Sequence, residues 1–255
     1  MPLEILTIPC LSDNYAFLAH DAETGSTALI DAPEAGPILS ALSNKGWKLS
    51  HVLLTHHHWD HVDALPDILA AHPAKVIGAA ADAHRLPPLD QQVAECDSVT
   101  IGSETGQIID VSGHTVGHIA YHFPDSAAVF TADSLMALGC GRLFEGTAPQ
   151  MWESLSKLAA LPDDTIVYSG HEYTQANGRF AETIEPENPD LQARIRDIAA
   201  ARAENRPTVP SSLALERATN PFLRAAEPAV QRNVGMQGAK PQDVFAEVRA
   251  RKDRF

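Results

Sequence analysis

Between Thr55 and His61 the chain reads THHHWDH, so four of its twelve histidines and an aspartate fall within one short stretch. Neutral imidazole and carboxylate are donors for a divalent ion of the zinc, iron or manganese kind. The spacing refines this. The apolar run Val52-Leu53-Leu54 predicts a strand just ahead of the cluster. In extended chain residues two apart point the same way, so His56 and His58 converge on one ion, while His57 faces the other side as a packing or supporting group. Asp60 and His61 follow where the chain is expected to bend into a helix beginning near Val62, and such a bend aims them at a second ion beside the first.

Further donors stand at comparable places. The strand-like IIDV is followed by SGHTVGH, with His114 just past its end; AAVFT is followed by Ala132 and Asp133; TIVY is followed by Ser169, Gly170 and His171. Open α/β sheets bind ligands at the carboxyl ends of their strands, where a rigid strand leads into a loop that leaves the side chain free. Gly113 and Gly170 suit the sharp exits such loops need. Two plainer readings compete. A histidine-rich tract can bind metal adventitiously, and a structural zinc site is closed, four-coordinate and rich in cysteine. None of the three cysteines, Cys10, Cys96 and Cys140, belongs to the donor set, and its seven donors suit two ions better than one.

The elements that must position these residues follow an α/β pattern up to about residue 170. Leu29-Ile30 leads into Asp31, a helix closed by Gly46 follows, and a second helix is expected over Ala64–Ala71. Strands are expected at Val76-Ile77, at Ile108–Val111, at Ile119–Phe123 where apolar residues alternate, at Ala127–Thr131 and at Thr165–Tyr168, with a helix over Trp152–Leu161. After Tyr173 the pattern turns helical. Leu191, Ile195 and Ile198 keep helical spacing, Asn220-Pro221 has the form of an N-cap with proline at the first helical position, and Lys240-Pro241 opens a last amphipathic helix.

Composition bounds the function. A formal net charge of −14 argues against a nucleic-acid partner. No apolar stretch reaches membrane-spanning length, the start lacks the form of a signal peptide, and the odd, widely spaced cysteines fit a reducing cytoplasm, so a cytoplasmic setting is expected, with monomer taken only as the default. The carboxyl end, RARKDRF, runs against the overall charge with Arg249, Arg251, Lys252 and Arg254. Such an end could form a local anion site, but composition alone favours cations in a last helical turn that complement the helix dipole.

HHHWDH is similar to the HxHxDH motif of the metallo-β-lactamase superfamily, and GHTVGH, TADS and SGHEYT stand where its later motifs belong. The resemblance implies an α/β fold, the αββα sandwich. It implies that His56, His58 and His114 hold a first metal, that Asp60, His61 and His171 hold a second, and that Asp133 bridges them. By the same match Asp31, in LIDAP, orients the site, unless it is only a strand-end turn residue. His58, where redox relatives carry glutamate, points to a hydrolase.

The likeness narrows further. SDNYAF, LGCGRLFEGT at 138–147, GHEYT at 170–174, NPFLR at 220–224 and the terminal RKDRF resemble glyoxalase II, the hydroxyacylglutathione hydrolases, over essentially the whole chain. That family implies a catalytic domain over 1–172 and a helical glutathione-binding domain over 173–255. It implies that Tyr173, Arg249 and Lys252 contact glutathione and that Arg142 and Phe144 line the same site, which favours an anion site over dipole complementation at the carboxyl end. The implied reaction is hydrolysis of S-D-lactoylglutathione to glutathione and D-lactate, in methylglyoxal detoxification. Two divalent ions, zinc first with iron or manganese also suited, would share a water and yield a hydroxide at neutral pH. Asp60 and Asp133 would thus be catalytic as well as ligating.

Two departures stand out. Phe144 replaces a tyrosine found in some members and cannot donate a hydroxyl hydrogen bond, and Ala132 replaces a commoner glycine, with little effect expected on the metals. A persulfide dioxygenase with a single iron is an alternative, but it would leave the second donor set without purpose. A lactonase would not need the basic carboxyl end, an RNA-processing nuclease would not suit the acidic surface, and a non-enzymatic metal-binding module would show a filled site without thioesterase activity.

Overall fold

Residues with strong β propensity open the chain, and β1 (Glu4–Cys10) pairs antiparallel with β2 (Asn14–His20) across Leu11–Asp13, in a register that sets Cys10 opposite Asn14. This hairpin was not anticipated from the sequence, because NYAFLAH lacks simple alternation. Every residue of β2 is buried, as in a strand covered on both faces. The computed structural model describes Met1–Phe255. Its backbone divides into two compact units, residues 1–110 with 116–131 and residues 111–115 with 132–255.

In the first unit β3 (Thr27–Ile30) continues the sheet antiparallel to β2, and α1 (Ala35–Lys45) crosses to β4 (His51–Leu53), which runs parallel to β3. Gly46 caps α1 in the left-handed conformation at φ 68°, and its N–H bonds Ser43 O. The short α2 (Trp59–Val62) and α3 (Leu65–Ala71) lead to β5 (Lys75–Ala79) and β6 (Gln91–Val93), which complete the sheet in the order β1-β2-β3-β4-β5-β6. The bend near Val62 is thus an earlier turn of helix that contains Asp60 and His61 themselves.

A second layer is the antiparallel meander β7 (Ser98–Ile101), β8 (Glu104–Asp110), β9 (Ile119–Phe123) and β10 (Ala128–Ala132). The two sheets close on one another through aromatic side chains. The Phe17 and Phe130 rings lie 5.6 Å apart, and the Tyr121 hydroxyl, buried between the layers, donates to Leu54 O at 2.8 Å. Each such ring contributes about 1.5–3 kcal/mol by burial. With α1 packed on β1 and α3, this unit has a helix layer over two stacked sheets.

The second unit begins with the two-stranded hairpin β11 (Leu135–Met136) and β12 (Gly139–Cys140). Next come α4 (Ala148–Ala159), β13 (Ile166–Ser169), α5 (Thr174–Ile184) and α6 (Pro189–Ala203), then β14 (Ser211–Ser212), paired to β13, α7 (Leu213–Thr219), α8 (Pro228–Val234) and α9 (Pro241–Arg254). Helix α4 starts earlier than its apolar periodicity, because Thr147 and Gln150 form a reciprocal capping box.

The helix start expected at Asn220-Pro221 is a correction. Asn220 follows the end of α7, and the chain turns there instead. Its amide is committed elsewhere: Nδ2 donates to Met136 O at 3.1 Å and Gly139 O at 3.0 Å, while Oδ1 accepts from Phe222 N. Fully buried Glu216 accepts from Leu138 N at 2.9 Å and pairs with Arg194, so α6 and α7 hold the β11–β12 hairpin in place. No helix of the chain is long and apolar enough to cross a membrane.

Candidate active site

In the first unit, β3 ends at Ile30, and Asp31 takes up a left-handed conformation at φ 56° that turns its carboxylate back toward the end of β4. Asp31 Oδ1 accepts from Thr55 N at 2.9 Å, and Oδ2 accepts from Thr55 Oγ1 at 2.8 Å. His61 Nδ1 lies 2.8 Å from the same Oδ2, in a pair that is almost wholly buried. That contact puts the proton of a neutral His61 on Nδ1 and frees the Nε2 lone pair for a ligand. His56 Nε2 and His58 Nδ1 lie 3.1 Å apart, and donor atoms of Asp31, His56 and His61 all fall within 4.8 Å of one another. His118 stacks on His56 with ring centroids 4.6 Å apart. His57 turns away to Asp82, 3.0 Å distant.

In the second unit, His114 Nδ1 lies 2.8 Å from Arg142 O, which again reserves Nε2. That nitrogen lies 3.4 Å from Asp133 Oδ2, and His171 Nε2 lies 3.3 Å from Asp133 Oδ1. One carboxylate thus offers each oxygen to a different imidazole. Two donors held at roughly 2.1 Å by one tetrahedral ion lie about 3.4 Å apart. The separations around Asp133 match that edge and exceed the usual N–H···O distance. Nitrogen and oxygen donors at such spacing fit divalent ions.

Two details make the close approach possible. A Cβ at Gly141 would fall 1.9 Å from Asp133 O and 3.0 Å from His114 Nδ1, so only glycine is tolerated there. Ala132, preceding Asp133, holds φ at 40°, where a Cβ is disfavoured, so its methyl group strains the backbone that delivers the carboxylate.

Beside His114 and Asp133 opens a cavity of about 290 Å³, also lined by Met136, Cys140, Gly141, Arg142, Phe144, Tyr173, Asn177, Arg249 and Lys252. All five residues implied as glutathione contacts reach it. The Tyr173 ring stacks on His171 at 4.7 Å, and the Phe144 ring meets His114 edge-on at 5.3 Å. Arg249 is largely engaged within the protein: Nη1 donates to Cys140 O at 3.0 Å and Nη2 to Asp253 at 2.8 Å, leaving buried Nε without a partner. Lys252 Nζ sits between the Phe180 and Phe255 rings at 5.2 and 5.3 Å. Burial, with Arg249 and Arg179 nearby, lowers its pKa to about 8. Burial pushes the Cys140 thiol up to about 11, which leaves it a packing group at neutral pH.

Asn177 was missed by the sequence reading; its Nδ2 donates to Ala137 O at 3.1 Å and braces the cavity wall. Its only signal was a polar residue on the buried side of a helix. Two wider clefts, of about 540 and 560 Å³, lie among the later helices, and neither includes any of the expected site residues.

The sequence model described as the metallo-beta-lactamase superfamily matches residues 22–171. Solved structures agree on the fold. A B3 metallo-beta-lactamase, BLEG-1, superposes with a TM-score of 0.67 at 20% identity, covering 86% of this chain and 99% of its own. ETHE1 from Myxococcus xanthus gives 0.64 at 27% identity, covering 99% and 98%. The class is therefore the metallo-β-lactamase fold, with a helical carboxyl-terminal region.

The model described as hydroxyacylglutathione hydrolase C-terminus matches residues 172–255. Hydroxyacylglutathione hydrolases of Ruegeria pomeroyi and Roseobacter denitrificans are each 66% identical over 255 residues, the whole of both chains. That of Rhizobium johnstonii is 51% identical over 254 residues, 100% of this chain and 99% of its own. The chain belongs to the hydroxyacylglutathione hydrolase family.

Proposed function

We propose that this chain hydrolyses S-D-lactoylglutathione and related 2-hydroxyacylglutathiones to glutathione and the free hydroxy acid, as a step in methylglyoxal detoxification. The observation that carries the reading is the cationic, aromatic-walled cavity that opens directly beside His114 and Asp133. Glutathione has two carboxylates and a flexible backbone. Arg142 and Lys252 on the cavity wall suit the charges, and Phe144 and Tyr173 supply flat surfaces. We assign catalysis to residues 1–172 and glutathione binding chiefly to 173–255.

In this reading His56, His58 and His114 hold one divalent ion, Asp60, His61 and His171 hold the other, and Asp133 serves both, with zinc the first choice and iron or manganese suited to the same donors. When bound, such a pair supplies an activated water at neutral pH and positive charge for the developing oxyanion. The chain's own groups do the rest. Asp31 holds the His61 tautomer, and Arg142 O does the same for His114. Asp60 orients the attacking water toward the thioester carbonyl. The cavity fixes the glutathionyl part, so that the C–S bond breaks with sulfur leaving as a thiolate and no strong general acid is needed. The three free cysteines support a reducing, cytoplasmic setting, and the working unit is taken as a monomer.

Purified protein assayed with S-D-lactoylglutathione, with metal content measured on the same sample, tests this. The expected result is thioester hydrolysis with two divalent ions per chain, and Asp60→Ala or His61→Ala lowers both together. Full activity with one ion per chain refutes the two-metal reading. Oxygen uptake with glutathione persulfide, without hydrolysis, overturns the hydrolase in favour of a dioxygenase.

A further inference from the structure

We infer that Asn14, at the start of β2, is a positioning residue that sets the Asp60 carboxylate. Its side chain reaches 46 residues along the chain to α2, where Nδ2 donates to Asp60 O at 3.1 Å and to Asp60 Oδ2 at 3.0 Å. Asn14 is only 4% exposed. Both neighbours of Nδ2 are oxygens, so the amide must present its NH₂, and its two hydrogens are divided between the main chain and the side chain of one residue. Asn14 thereby fixes the Asp60 side-chain torsion relative to the Asp60 backbone.

The geometry gives this bond a purpose. The Asp60 side chain is 19% exposed, against 1% for His61 beside it, so water competes for its oxygens. A carboxylate free to rotate toward solvent spends only part of its time aimed inward, and ordering it on binding costs entropy. Asn14 removes that cost in advance, in the way that hydrogen-bonded partners of ligand groups raise affinity. The β1–β2 register and the Leu11–Asp13 turn, whose Leu11 N donates to Glu34 at 2.6 Å, anchor Asn14 itself. Only a carboxamide fits here. Aspartate has the same shape but would set one carboxylate oxygen, in place of the NH₂, against the two Asp60 oxygens, and alanine would remove both hydrogen bonds.

The inference rests on the two-metal reading, and the test separates the two. Metal-free wild type, Asn14→Ala and Asn14→Asp are titrated with zinc against a chromophoric chelator, and each metal-free protein is melted to compare folding. Wild type is expected to take two ions. Both variants are expected to keep the affinity of the first and to weaken the second by about 10- to 100-fold. Asn14→Ala in an Asp60→Ala background is expected to cost nothing further at that site. If Asn14→Ala does not fold, Asn14→Asp, which keeps shape and turn preference, carries the test. Wild type taking only one ion overturns the two-metal reading. Wild type taking two, with variants matching both constants or weakening both equally, overturns the role of Asn14 alone.

Discussion

Lys252 offers a test of the substrate site that needs no loss of structure. Its ammonium lies between two phenyl rings, 3.4 Å from Ala176 O, and burial together with the like charges of Arg249 and Arg179 lowers its pKa to about 8. Raising the pH through that value removes the positive charge that the glutathione carboxylate is proposed to meet. About nine-tenths of the group is charged at pH 7 and about one-tenth at pH 9. If only the charged form binds well, KM rises by up to about tenfold between those pH values, equivalent to roughly 1.4 kcal/mol. Saturating substrate restores the proton, so kcat does not share this rise. Arginine stays charged throughout the range, so Lys252→Arg is expected to show a flat KM. Steady-state hydrolysis from pH 6.5 to 9.5, with KM and kcat fitted separately, reads this directly. A wild-type KM that stays constant, or the same rise in Lys252→Arg, refutes the reasoning.

Two further expectations follow from the same geometry. Ala132→Gly relieves the left-handed backbone before Asp133 and is expected to stabilise the fold by about 1 kcal/mol, raising Tm by roughly 2–4 °C in calorimetry; a lower Tm would show that the strain is not real. Phe144→Tyr adds a hydroxyl at the cavity wall and is expected to lower KM about fivefold through one net hydrogen bond of about 1 kcal/mol, with kcat unchanged. An unaltered KM would place Phe144 outside the bound substrate.

Much of the candidate donor set's placement was legible because its logic is local. His56 and His58 follow a strand at the spacing that points both the same way, and His114, Asp133 and His171 each stand at or just past a strand end. Strand periodicity and the position of loops are properties of short segments. What stayed hidden depends on distant partners. Asn14 and Asp60 are 46 positions apart, and no periodicity links them. Asn220 has the local form of a helix start, yet buried carbonyls of Met136 and Gly139 claim its amide. The strain at Ala132 was equally invisible, because a backbone angle is set by what packs around it.

The sequence by itself determined the type of chemistry. Imidazoles and carboxylates without cysteine suit a divalent ion, and only the family resemblance turns the basic end from helix-dipole complementation to an expected anion site. Tertiary structure decided how those groups are held. Asp31 and Arg142 O choose which nitrogen of His61 and His114 keeps a free lone pair, and Gly141 lets Asp133 and His114 approach closely. Burial, with Arg249 and Arg179 nearby, lowers the Lys252 pKa to about 8. The physical reason is that residue identity fixes which atoms can donate, whereas tautomer, torsion and proton affinity are set by neighbours that only folding supplies.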